Sequence, residues 1–113
     1  MKLLTSATLS AALLQQANAG TINQVRITKI AINKTIGPML FVLTDGTKSG
    51  APSCHTIPTW TFVMPLNDKT DQQMMAILVS AQAAQTPVYL EGNNLCNTFG
   101  GVETLIMPIA GGL

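Results

Sequence analysis

Between Ile22 and Thr35 the chain reads INQVRITKIAINKT, and its apolar residues change face partway along. Val25 and Ile27 share one parity, whereas Ile30 and Ile32 share the other. Side chains alternate across a strand with a period of two, so one extra residue sends every later side chain to the opposite face. A β-bulge supplies that residue. The run is therefore expected to be one long, bent strand that serves two parts of a sheet.

The rest of the chain fits around that strand. Gly37-Pro38 turns it, and Met39 to Asp45 (MLFVLTD) is apolar almost throughout, as a central strand would be. Asp45 to Ser53 is a loop by composition, with glycines, a proline and small polar residues. Thr56 to Pro65 places Trp60, Phe62 and Met64 on alternate positions, predicting a third strand bounded by Pro58 and Pro65. Asn67 to Gln85 predicts the one helix. Thr70 and Gln73 have capping-box spacing, and Asp71 suits the positive end of the dipole. Met74, Ile77, Leu78, Ala81 and Ala84 recur at three- and four-residue steps as one apolar stripe. Thr86-Pro87 stops it. Pro87 to Gly92 and Val102 to Ile109 predict the fourth and fifth strands, and the final AGGL is expected to fray.

Strand, strand, strand, helix, strand, strand is the order of a five-stranded OB-fold barrel, an all-β architecture with one helix. A length of 113 residues allows one domain, and the expected domain is 20–113. The first nineteen residues read as a secretory signal: Lys2, then an apolar-to-small run to Leu14, then the small-x-small triplet Ala17-Asn18-Ala19. That run is too short to span a bilayer. The expectation is a protein secreted or held in the periplasm, with Gly20 as its first residue. The competing reading makes the same residues a helix of the folded domain.

With 47% hydrophobic and 10% charged residues and a formal net charge of +1, the chain is neither a disordered tail nor a nucleic-acid binder. Lys29, Lys34, Lys48 and Lys69 are scattered. In an oxidising compartment Cys54 and Cys96 are most simply one disulfide. Closing a loop of about 43 residues contributes roughly 4 kcal/mol in the chain-entropy model. Free thiols would instead leave Cys54, His55 and Cys96 as metal ligands or a Cys-His nucleophile, although their spacing matches no zinc motif.

Catalytic patterns are scarce. Ser49 and Ser53 lack a nucleophile elbow, and no phosphate loop, dinucleotide fingerprint or metal motif occurs. Glu91 and Glu103 flank a glycine-rich loop on adjacent strands. A pair of carboxylates can hydrolyse a glycoside, but two solvent-facing strand residues is the simpler reading. The chain is therefore read as a non-enzyme that needs no cofactor. Trp60 offers an apolar platform for a sugar, and equally a core side chain. Thr56, Thr59 and Thr61 offer hydroxyls or reflect strand propensity.

From Val25 to Gly101 the chain also resembles the subtilase cytotoxin B subunit family of small exported bacterial proteins. The resemblance rests on VRIT at Val25 to Thr28, Pro38 before the second strand, and the small-residue loop ending in Cys54. Trp60, the methionine-bearing helix and TPVYLEG leading to Cys96 follow in order. It implies the OB fold, a pentameric ring and binding of sialylated host glycans. A sugar-contacting serine of the family aligns near Asn23. A sugar-contacting tyrosine aligns near Glu91 or Gly92 rather than Tyr89, where a carboxylate repels a sialic acid. The expected function is glycan recognition through barrel loops, with Asn23, Thr28 and Trp60 as ligand candidates and Cys54–Cys96 as the staple. The alternative is a periplasmic protein-interaction or structural module.

Overall fold

The computed structural model describes residues 19–113. The expected leader lies outside the described residues, except for Ala19. The phase change in the first run is resolved as two strands, β1 (Thr21–Val25) and β2 (Ile27–Asn33). Gln24 takes a left-handed backbone (φ 56°), and the pairing register shifts between Ile22 and Val25 and again between Ile27 and Lys29. Arg26, between the strands, donates its N–H to the Asp45 carboxylate (2.9 Å) rather than to a ladder. Its carbonyl accepts from Asp45 N–H (3.1 Å). The bend is thus held by a loop that follows the next strand.

Among the described residues the remaining elements are β3 (Met39–Thr44), β4 (Phe62–Pro65), α1 (Lys69–Ala84), β5 (Val88–Gly92) and β6 (Leu105–Ala110). Two antiparallel three-stranded sheets result, ordered β1-β5-β6 and β2-β3-β4. Among the described residues the fold is mostly β with one helix, as expected. It has six strands in two sheets where five strands in one barrel were expected, because the bulge divides the first. β3 is central in its sheet and buried on both faces, which explains its unbroken apolar run.

Two cores follow from that double burial. The larger lies between the sheets and under α1 and contains Ile27, Leu40, Val42, Phe62, Leu78 and Leu90, each inaccessible to solvent. Complete burial stabilises by about 1.5–3 kcal/mol for each such side chain. The smaller lies on the opposite face of β3, where Phe41, Val63 and Val102 pack with Trp60 and Phe99.

Several boundaries move for local reasons. The third strand is only Phe62–Pro65, since Pro58 and Thr59 form a turn. Trp60 therefore leaves the face that Phe62 and Met64 share and joins the smaller core. The last strand begins at Leu105, and Val102 and Thr104 make only isolated bridges. The expected frayed tail is pinned, because Leu113 N–H donates to Asn23 Oδ1 (3.0 Å).

The helix N-cap is Asp68 rather than Thr70. Its carboxylate accepts from Asp71 N–H (2.8 Å), and the Asp71 carboxylate accepts from Asp68 N–H (3.3 Å) and Asn67 N–H (2.9 Å). An ionised acceptor makes a stronger cap than a hydroxyl. Gln85 ends the helix in a left-handed conformation, and Arg26 Nε donates to its carbonyl (3.0 Å), where a cation suits the dipole. The apolar stripe is narrower than its spacing implied. Leu78 and Ala81 are buried and Met74 packs on the core, but Ile77 is 38% exposed and Ala84 is exposed. Asp68→Ala is expected to lose about 1 kcal/mol and to lower Tm by about 4–8 °C, whereas Thr70→Ala changes little. Thermal unfolding of both variants checks this, and equal losses would return the cap to Thr70.

Candidate functional site

The loop from Asp45 to Thr61 and the loop from Asn93 to Glu103 lie against each other at one end of the sheets. Cys54 and Cys96 are disulfide-bonded, with their Cα atoms 6.1 Å apart. The bond is the expected one. It takes both thiols out of the metal and nucleophile readings. Gly101 carbonyl accepts from the N–H groups of Thr56 (2.9 Å) and Ile57 (3.0 Å) beside it. Gly101 has φ +99°, and a Cβ there would meet Ile57 Cδ1 at 2.7 Å, so this close approach requires glycine.

Beneath these loops is an ionic cluster whose arrangement the sequence did not disclose. Glu103, expected on a solvent-facing strand surface, is wholly buried. Its Oε1 accepts from Lys48 Nζ (3.1 Å), and its Oε2 accepts from the N–H groups of Gly20 (3.0 Å) and Asn94 (2.9 Å). Lys48 Nζ also donates to Thr61 carbonyl (2.7 Å), contacts His55 Nδ1 (3.2 Å), and sits 4.0 Å from the Phe62 ring centroid. Two protons of the ammonium meet the Glu103 carboxylate and the Thr61 carbonyl, and the third side faces His55 Nδ1, whose one lone pair is shared with Glu103 N–H. The side chains of Lys48 and Glu103 are 6% and 0% exposed. Burial pulls the Lys48 pKa down from its ordinary value, against the raising effect of Glu103.

His55 completes the cluster. Its Nδ1 accepts from Glu103 N–H (3.0 Å), so the ring proton of the neutral form resides on Nε2. Burial lowers the His55 pKa, the charge of Lys48 lowers it further, and Glu103 and the Trp60 backbone oppose them.

Above the cluster is a cleft of about 320 Å³ lined by Leu43, Thr47, Lys48, His55, Pro58 and Trp60. The Trp60 ring is half-buried, 5.4 Å from the Phe41 centroid, and Phe41 meets Phe99 edge-on at 5.1 Å. A second groove of about 370 Å³ uses the same tryptophan and is apolar, with Ile32, Ile36, Phe41, Ile57 and Phe99 in its walls.

Of the three expected ligand residues, Trp60 alone lines these clefts. Asn23 is exposed on β1, where its amide oxygen is occupied by Leu113 N–H. Thr28 is exposed on β2 and donates its hydroxyl to Leu43 carbonyl (3.1 Å). Glu91 accepts from Tyr89 hydroxyl (2.8 Å), which raises the phenol pKa. No hydrogen bond links Glu91 to Glu103. Among the described residues, no three His, Cys, Asp or Glu side chains are grouped to hold a metal ion, and no helix is long and apolar enough to cross a membrane.

Sequence reasoning singled out His55 and Glu103 separately, but missed Lys48 and the grouping of the three into one buried cluster. One signal pointed to it. Glu103 stands between Val102 and the apolar run from Leu105, and glycines occupy positions 20 and 92, where a buried carboxylate needs room. No protein-family model, curated protein or solved structure matches the chain.

Two outcomes follow from the cluster. Lys48→Met leaves the Glu103 carboxylate buried without its cation and is expected to destabilise by about 3–5 kcal/mol. Adding Glu103→Gln should recover part of that loss in denaturant unfolding. A double variant that simply sums the single losses would dissolve the coupling. For His55 the folded pKa lies below the unfolded value of about 6.5, so the unfolded chain takes up the proton first. Its contribution is complete above that value and is lost as pH falls through the window below it. Tm is expected to drop between pH 7 and pH 5 more steeply for the natural chain than for His55→Asn, and superimposable profiles would refute the assignment.

Proposed function

We propose that this chain is an exported glycan-binding protein of the subtilase cytotoxin B subunit type, and that its sugar packs against Trp60. The observation that carries the reading is the cleft that a partly exposed indole lines together with Thr47 and His55. Carbohydrate sites need an apolar platform with a few fixed polar groups, and the disulfide and the Gly101 hydrogen bonds hold such groups still. Export is supported by the signal-like leader together with the disulfide.

The barrel form of the reading has its own support. Val63 and Thr104 make a parallel bridge, and Val63 N–H donates to Glu103 carbonyl (3.0 Å), which joins β4 to the chain entering β6. The bulge at Gln24 to Arg26 carries β1 into β2 and so links the two sheets at another edge. A five-stranded OB barrel counts β1 and β2 as its one bent strand.

The protein acts by binding and not by catalysis in this reading. Both oxygens of Glu103 are engaged by partners, which removes half of any Glu91–Glu103 acid-base pair. Assembly into a ring follows from the family likeness. β6 is an outer strand with Ile106 49% and Met107 38% exposed, and it offers an apolar edge for a second copy.

A second reading has one observation in its favour. The groove between Ile32, Ile36 and Phe99 is lined by apolar side chains, which suits an apolar side chain of a partner protein better than a hydroxylated sugar. Glycan arrays that include sialylated and bacterial glycans separate the two. Binding that weakens at least tenfold, or ~1.4 kcal/mol, in Trp60→Ala is the expected result, with the Tm of the variant measured alongside. A null across both glycan sets, with a protein partner recovered by pull-down, favours the groove. Light scattering is expected to give a pentamer, and a monomer would remove the ring while leaving the glycan test intact.

A further inference from the structure

The Glu103 carboxylate is occupied on one side by a group that processing would change. Gly20 N lies 3.0 Å from Glu103 Oε2, in a buried position. Gly20 is also the residue immediately after the small-x-small triplet. Hydrolysis of the Ala19–Gly20 peptide bond consumes one water, leaving a carboxylate on Ala19 and an amine on Gly20 that is protonated at neutral pH. We propose that Glu103 is the built receptor for that α-ammonium group, so that removal of the leader completes a buried ion triad of Gly20, Glu103 and Lys48.

Three features of the fold support the assignment. Position 20 accepts no side chain, because a Cβ would collide with the Glu103 carboxylate and lie 2.6 Å from Lys48 Cδ. Glycine is needed here for space, since Gly20 has an ordinary backbone conformation. The new terminus would also stay in place after cleavage. Gly20 carbonyl accepts from Gly92 N–H (2.9 Å), and Thr21 exchanges both backbone hydrogen bonds with Ser49 (2.8 Å each). The third feature is chemical. An amide N–H brings one donor and no charge to the buried carboxylate, whereas an ammonium brings three donors and a full positive charge. The carboxylate then lies between two cations on its two oxygens, with His55 neutral beside them.

The inference rests on the export reading for the position of the cut and is independent of glycan binding. It makes Gly20 the residue that senses whether the leader is present, so the processed chain is the more stable form. The test expresses the full chain with its leader and isolates the exported product. Intact mass is expected to place the first residue at Gly20. An exported product beginning elsewhere overturns the proposal while leaving export in place, whereas a chain that keeps its leader and is not exported overturns the export reading with it.

On a product beginning at Gly20, brief acetylation at neutral pH with a succinimidyl ester reads the α-amine. It should react at least about tenfold more slowly in the native protein than in denaturant, as a buried and paired group does. Reaction at the unfolded rate overturns the pairing while leaving export in place. A stability comparison gives a second reading. Ala19→Arg puts a long charged residue where the peptidase needs a small one, so this variant retains its leader and is expected to melt several degrees below the processed protein. That difference should vanish when both carry Glu103→Gln. A difference that persists unchanged assigns it to the leader itself and overturns the role of Glu103.

Discussion

The buried carboxylate of Glu103 is the constraint around which the rest of this structure is arranged. A carboxylate with no solvent contact is tolerated only when its charge and its lone pairs are met. Three segments meet them here: Gly20 ahead of β1, Lys48 in the loop after β3, and Asn94 after β5, while His55 accepts from the Glu103 backbone N–H. Two glycines complete the fit. A Cβ at Gly20 or Gly92 would collide with the same carboxylate, and the two residues are themselves joined by a hydrogen bond. The first strand, the end of β5 and the loop after β3 are therefore positioned by one acidic side chain.

The candidate site is a consequence of that arrangement. Lys48 and His55 line the cleft from below because Glu103 holds them there, and Trp60 lines it from the side because Phe41 and Phe99 support its ring. The disulfide then joins the two loops that carry these groups. Its two cysteines are 42 residues apart in sequence. The staple and the ion pair therefore bind the same two loops at different depths, one near the surface and one in the core. A rim held in this way would lose little conformational freedom on binding the proposed ligand.

The sheet architecture was legible where local periodicity controls it. The parity change at Val25 to Ile32 foretold the bend, the unbroken apolar run foretold a central β3, and the Thr86-Pro87 stop foretold the end of α1. The third strand was overextended because alternation through Trp60 was counted as pairing, whereas Pro58 and Thr59 turn the chain first. The cap was misplaced because Thr70 and Asp68 both have suitable spacing, and the stronger carboxylate acceptor prevails. Of the ligand candidates, Trp60 alone lies in a cleft. Asn23 and Thr28 were not brought to the same place, since each spends a polar atom on backbone groups of other segments.

Composition, periodicity and the expected compartment pointed to a mostly β chain with one helix among the described residues and to a Cys54–Cys96 staple, because those properties depend on neighbours along the chain or on the redox surroundings. Tertiary structure alone decided that Glu103 is an interior residue, that Lys48 is its counter-ion, and that Gly20 donates to its free edge. The physical reason is that burial of a charge is a property of the whole packed volume. An acidic residue on an alternating strand looks solvent-facing until the folded chain shows which cation, which amides and which absent side chains have made room for it.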